Sequence, residues 1–191
     1  MSAPLTAGFA KPVRDSQQCF RALLDAMARP GRIHGLAGVI PPAPLCAAAA
    51  AVLLTLVDQE TPFWLDPAAA NARDWIAFHC GAPAERDPAR AAFAFALGLP
   101  DLTRFSLGTH EAPETSATIL VQIPALTGGR PHRLRGPGLR DSAILAPAGL
   151  PDDFVLRWRQ NRVLFPGGTD LILCAGDAIA ALPRTVEIEE A

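Results

Sequence analysis

Asp170 and Arg184 are the residues of this chain whose types and spacing most directly suggest joint chemistry. They bracket an apolar run, Leu171 to Ala175, which is preceded by Asn161-Arg162 and Phe165-Pro166-Gly167-Gly168-Thr169 and followed by Gly176-Asp177 and Leu182-Pro183-Arg184-Thr185. Proline cannot continue a helix and glycine adopts positive φ at no steric cost, so a sharp turn is expected at 166–168 and a strand after it. Asp170 then stands at the mouth of that strand. Pro183-Arg184 is expected to end a short helical segment and send Arg184 and Thr185 back into a last strand. A carboxylate and a guanidinium at the two ends of a buried strand can form a polar site. They can equally lock a C-terminal hairpin, and the sequence leaves both readings open.

Other residues offer weaker chemistry. Leu134-Arg135-Gly136-Pro137-Gly138-Leu139 places two glycines around a proline, in a segment (130–162) with seven arginines and three acids, a local charge of +4. With no third glycine this is not a dinucleotide fingerprint. Arg135, Gly136 and Gly138 would nonetheless suit a phosphate or carboxylate, because exposed backbone N–H groups beside guanidinium groups bind anions. A turn in a solvated basic face predicts the same letters. Arg29 lies in Arg29-Pro30-Gly31, where proline and glycine already account for a helix stop and only the arginine is left as a candidate. Asp58 and Glu60 could serve a metal or acid–base chemistry, or cap a neighbouring helix. His110 and Glu111 sit in a polar loop before a strand, within reach of a ligand or simply solvated. His79 and Cys80 are sequence neighbours and would point about 100° apart on a helix, which argues against a Cys–His dyad.

These residues need elements to position them. Residues 1–14 read as an extended arm, with Phe9 and Val13 available to dock on a partner. Asp15 and Gln18 resemble a capping box, and Cys19, Phe20, Leu23, Leu24 and Met27 share one helical face. Leu45 to Val57 is apolar all round and should be an enclosed helix; its 13 residues are too few to span about 30 Å of hydrocarbon at about 1.5 Å each. Phe63-Trp64-Leu65 is expected as a strand and Asp66-Pro67 as a capped helix start, with that helix ending at Gly81. Ala91 to Leu97 is helix or strand, and Ala117 to Ile123 a strand. Pro151 to Val163 is a helix with Phe154, Val155, Trp158 and Arg162 on one side. Val186 to Glu189 alternates apolar and acidic, as a half-exposed strand does.

The 191 residues fit one domain, and an apolar content of 50% with 19% charged residues excludes disorder and favours association. Seventeen basic against 19 acidic residues give −2, so no global field draws nucleic acid or an anionic membrane. Four scattered cysteines form no Cys-x-x-Cys pair, which suggests neither a zinc site nor a disulfide framework and fits a reducing cytoplasm. The N-terminus lacks the basic and apolar segments of an ordinary signal peptide. Lys11 is the sole lysine, which argues against a Schiff base or a phosphate-loop lysine.

In their order, several landmarks resemble the PhnH subunit family of the bacterial carbon–phosphorus lyase machinery. They are Pro12-Val13, Phe20-Arg21 and Ala26-Met27-Ala28-Arg29-Pro30-Gly31; Leu54-Thr55-Leu56-Val57-Asp58 and Glu60-Thr61-Pro62; Phe78-His79 and Gly81; Gly136-Pro137-Gly138; and Phe165-Pro166-Gly167, Asp170 and Pro183-Arg184-Thr185. Together they cover about residues 9 to 186. Cys80 stands where the family has threonine, so the resemblance assigns that side chain no role. The resemblance implies an α/β domain with a central mixed sheet flanked by helices, like the large domain of PLP-dependent transferases but with no cofactor. It implies a homodimer that joins three other core subunits. With an associated ATP-binding-cassette-like protein, the complex replaces the adenine of ATP by an alkylphosphonate, giving alpha-D-ribose 1-methylphosphonate 5-triphosphate from methylphosphonate. From the residues come two competing functions: a non-catalytic scaffold or assembly subunit, or a ligand-binding or catalytic subunit holding ATP or an alkylphosphonate in a cleft near the Gly136–Gly138 turn. No catalytic residue, metal site, nucleic-acid contact or membrane span is expected.

Overall fold

Two apolar runs, Ile119 to Val121 and Leu171 to Cys174, are buried at every position, as strands covered on both faces must be. In a computed structural model, which describes residues 6–36 and 38–191, they lie side by side at the centre of a sheet. In chain order the elements are α1 (Pro12–Ala28), β1 (His34–Gly35), α2 (Ala47–Leu56), β2 (Phe63–Leu65), α3 (Arg73–Cys80), β3 (Ala84–Glu85), β4 (Phe93–Leu97), β5 (Thr118–Gln122), β6 (His132–Arg135), β7 (Ala143–Leu145), α4 (Phe154–Arg162), β8 (Asp170–Ala175), β9 (Ala178–Leu182) and β10 (Glu187–Glu190). Among the described residues, seven strands form a mixed sheet in the order β1-β9-β8-β5-β4-β2-β3. From β3 to β8 neighbouring strands are parallel; β9 is antiparallel to β8, and β1 to β9. A second, antiparallel sheet has the order β10-β6-β7.

Alternation along the strands divides the core in two. Phe95, Leu120, Ile172 and Ala181 meet α1, α2 and α3 on one face. Ile119, Leu171, Leu173 and Ala180 meet α4 and the small sheet on the other. The fold is thus α/β with a mixed sheet flanked by helices, as expected. Ala48 to Leu53 of α2 are all buried, matching the reading of an enclosed helix.

Four local expectations are corrected. The segment before Pro183 is strand β9, not a short helix. Gly176, at φ 57°, and Asp177 make a two-residue turn that folds it back on β8, and pairing with β8 and β1 overrides the helical preference of its alanines. The arm ends earlier than residue 14, because Pro12 opens α1 as its first residue. Asp15 does not begin that helix but reaches back to it: its carboxylate accepts the Lys11 N–H at 2.7 Å. Phe9 packs against the chain's own core rather than a partner. The Thr6 carbonyl accepts from Trp75 Nε1 at 2.8 Å and from His79 Nε2 at 3.0 Å, so both side chains hold the arm. Residues 1–5 of the expected arm lie outside the described residues.

Candidate functional site

The turn after α4 is built around Asn161. This asparagine falls three residues after Trp158 and seven after Phe154, on the inward face of the helix, and is buried. Its amide reads the Thr169 backbone as a partner strand would, Nδ2 donating to the Thr169 carbonyl at 2.9 Å and Oδ1 accepting the Thr169 N–H at 2.8 Å. Gly168, at φ 100°, lies so close that a Cβ there would stand 2.8 Å from the Asn161 carbonyl oxygen. Trp158 Nε1 donates to the Val186 carbonyl at 2.8 Å and ties the helix to the chain entering β10. The expected place of Arg162 on this inward face is corrected: it is exposed and pairs with Glu187 at 2.6 Å. Asn161 was legible only as a polar letter at an apolar spacing.

This knot delivers Asp170 to Arg184. The Arg184 N–H donates to Asp170 Oδ1 at 2.7 Å, and its Nη2 to Oδ2 at 2.5 Å. Arg184 Nη1 donates to the Pro113 carbonyl at 2.9 Å and the Pro166 carbonyl at 3.3 Å, while Nε meets both Asp170 oxygens at 3.2 Å. Of the five guanidinium N–H groups, four are engaged by the chain itself and the charge is matched by a carboxylate, so little is left for an anion. The pair also sits at the amino end of β8, whereas ligands in open α/β sheets bind beyond the carboxyl ends of the strands.

At those carboxyl ends the polar groups are likewise engaged. Gln122, at the end of β5, accepts the Cys46 N–H at 2.7 Å and donates to the Pro44 carbonyl at 2.8 Å. Asp66, just beyond β2, accepts the Ala68 N–H at 2.9 Å and the Leu97 N–H at 3.1 Å. Nothing in the sequence singled out Gln122.

The Gly136–Gly138 turn is wedged between two distant segments. Any Cβ at Gly138, φ 83°, would collide with the Ala28 carbonyl, and one at Gly136 would stand 3.2 Å from the Thr185 carbonyl oxygen. The Arg29 loop, the Arg135 turn and the Asp170–Arg184 pair therefore form one band across the molecule. Within it Arg29 pairs with Asp25, which His34 Nε2 approaches at 3.1 Å, and Arg135 with Glu189 at 3.6 Å. Pro137, Arg162, Phe165, Arg184 and Thr185 line a cleft of about 390 Å³. Asp58 and His110 stand apart. Asp58 folds its own loop by accepting the Glu60 N–H at 2.9 Å and the Thr61 hydroxyl at 3.0 Å, and His110 is exposed on the turn that Thr109 closes onto the Ala112 N–H.

The thiols lie on the helical side of the sheet. Burial pushes Cys19, Cys46 and Cys174 up, and Cys80 is pushed to about 11 by burial and then by the Asp58 carboxylate. Protonated thiols are poor nucleophiles. On the other side His132 is held below its usual range by burial and by Arg130.

Residues 7–189 match the family model described as "Bacterial phosphonate metabolism protein (PhnH)". This chain belongs to the PhnH family. Over 190 residues, 96% of this chain and 95% of the relative, it is 45% identical to the "Alpha-D-ribose 1-methylphosphonate 5-triphosphate synthase subunit PhnH" of Rhizobium meliloti (strain 1021). Over 175 residues, covering 90% and 85%, it is 33% identical to the "Putative C-P lyase subunit protein HtxG" of Stutzerimonas stutzeri. Landmarks that carried the PhnH resemblance meet in space: Arg29-Pro30-Gly31 against Gly136-Pro137-Gly138, and the Phe165–Asp170 turn against Pro183-Arg184-Thr185.

Proposed function

We propose that this chain is a non-catalytic assembly subunit of the carbon–phosphorus lyase core complex, needed for making alpha-D-ribose 1-methylphosphonate 5-triphosphate from ATP and alkylphosphonate. The observation that carries the reading is that polar side chains at both ends of the sheet are committed to the chain's own backbone: Asp170 and Arg184 at one, Asp66 and Gln122 at the other. A catalytic group needs a free lone pair or proton aimed at substrate. The proposal includes a cytoplasmic homodimer that joins three other core subunits; the relatives' names say of those proteins only that each is a subunit. Among the described residues no helix is long and apolar enough to cross a membrane. It also includes the likeness to the large domain of PLP-dependent transferases without the cofactor. Lys11, the chain's one lysine, is exposed at the head of α1 and remote in sequence from the sheet ends.

The test is turnover of ATP with methylphosphonate, followed as released adenine. The purified chain alone is expected to release none, and omission of this chain from the reconstituted complex to abolish release. Adenine release by the chain alone overturns the reading. One observation favours a second reading, a polyphosphate or phosphonate held by this subunit: the 390 Å³ cleft is lined by Arg184, Thr185 and Arg162, the last of which also pairs with Glu187. Calorimetric titration with ATP and with methylphosphonate, repeated on Arg135→Ala and Arg184→Ala, decides it. Absence of heat in the wild type eliminates that reading.

A further inference from the structure

α1 presents apolar side chains in two opposed directions. Cys19, Leu23 and Ala26 enter the core, three and four residues apart as the helical repeat requires. Phe20 and Leu24, expected on that same face, are instead 46% and 54% exposed, and Val13, seven residues before Phe20, is 74% exposed. Positions 13, 20 and 24 fall within about 40° of one another around the axis and make a stripe about 16 Å long. The core cannot take these side chains, because α2 and β9 already cover the other face of the helix.

Beside the stripe, Ser16, Gln17, Phe20 and Arg21 of α1 and Thr55 of α2 line a groove of about 360 Å³. Both hydroxyls there are satisfied within their own helices, Ser16 donating to the Val13 carbonyl at 3.3 Å and Thr55 to the Ala51 carbonyl at 2.7 Å. The guanidinium groups are not. Arg21 and Arg14, seven residues apart and so on one side, are exposed, and neither meets a carboxylate among the described residues. The two acids of α1 are occupied elsewhere: Asp15 accepts the Lys11 N–H at 2.7 Å, and Asp25 is shared by Arg29, Arg32 and His34.

This separates α1 from the exposed ridge of α4. There Leu156 and Val163 are 58% and 84% exposed too, but Arg157 is matched by Asp153 at 2.8 Å, Arg162 by Glu187 at 2.6 Å, and Arg159 shares a groove with four acids. The α4 ridge therefore selects neither sign of charge in a partner. The α1 stripe selects carboxylates.

We propose that the Val13–Phe20–Leu24 stripe and the groove beside it dock another subunit of the complex, through a segment whose large apolar side chains are flanked by carboxylates. The apolar side chains of that segment cover Phe20 and Leu24 and enter the groove, as in other helix-and-groove recognition. Its carboxylates pair with Arg14 and Arg21, which fixes register and speeds encounter. This inference rests on the assembly role proposed above.

The experiment measures the affinity of this chain for the purified assembly of the other core subunits by biolayer interferometry, at low and at high salt. Phe20→Glu/Leu24→Glu and Arg14→Glu/Arg21→Glu, each checked for folding by circular dichroism, are expected to weaken binding by about ten-fold or more. Val163→Glu, on the other side of the sheet, should leave it unchanged. High salt should weaken the wild type and affect Arg14→Glu/Arg21→Glu less, since screening acts on the charges that variant has lost. Should the apolar variant fail to fold, the arginine variant, altered only at exposed side chains, decides alone. A wild type that does not bind overturns the assembly role and this face together. Binding that the folded α1 variants retain, or that only Val163→Glu weakens, overturns this face alone. So does a chain that pairs with itself through α1, seen as a dimer in sedimentation equilibrium that both variants lose while they still bind the other subunits. Adenine release by the chain alone uses none of these variants and tests the assembly role separately.

Discussion

Asn161 does the most with a single side chain: it satisfies the N–H and the carbonyl of a residue, Thr169, that is wholly enclosed. Removing the amide in Asn161→Ala strands both backbone groups at about 1–3 kcal/mol each, so a loss near 3 kcal/mol is expected, roughly 9 °C in Tm for a chain of this size. Asn161→Asp should rescue only the N–H half, and the melting temperatures of the two variants check this. The thiols give a pH prediction of definite sign. Their folded pKa values lie above the ordinary 9.0, so their protonated forms are the ones the fold favours. The corresponding stability is complete below pH 9 and is lost as pH rises, for Cys80 through about 11. Urea midpoints between pH 8 and 11 should fall, less steeply in Cys80→Ala. At this scale the sequence was partly legible. Asp170 and Arg184 could be paired because turn residues mark where each stands, but the inward aim of Asn161 depends on helix phase, and the role of Gln122 on a proline loop 78 residues away.

Elements bounded by strong local signals matched their reading. Phe63-Trp64-Leu65 is β2 to the residue, and Asp66-Pro67 and Gly81 bracket the next helical stretch, which begins as a 3₁₀ segment. Alanine-rich Ala178 to Leu182 defeated local reasoning because its state is decided by β8 on one side and β1 on the other. The meeting of the α1 end with the 136–138 turn was equally out of reach, since contacts over more than 100 residues leave no periodicity. It is nonetheless testable. Gly138→Ala combines a positive φ with a collision against the Ala28 carbonyl, and is expected to cost more than Gly98→Ala, where φ is also positive but the space is open. Comparing chemical denaturation of the two isolates the contact from the backbone strain.

At the scale of the whole molecule, an apolar content of 50% is divided between two cores, one under three helices and one under α4 and the small sheet, with the ridge of α4 left over on the surface. The strand order carries a further consequence for how the chain is made. β1, among the first segments to be synthesised, has a single neighbour in the sheet, and that neighbour is β9, some 140 residues later. α1 packs over the same strand. A nascent chain that has completed β5 thus offers an unpaired sheet edge while its N-terminal helix has α2 to pack against but not yet β9. Force-profile measurements on ribosome-stalled chains are expected to register folding only once Leu182 has cleared the exit tunnel. Until then β1 and one side of α1 wait on the trailing hairpin.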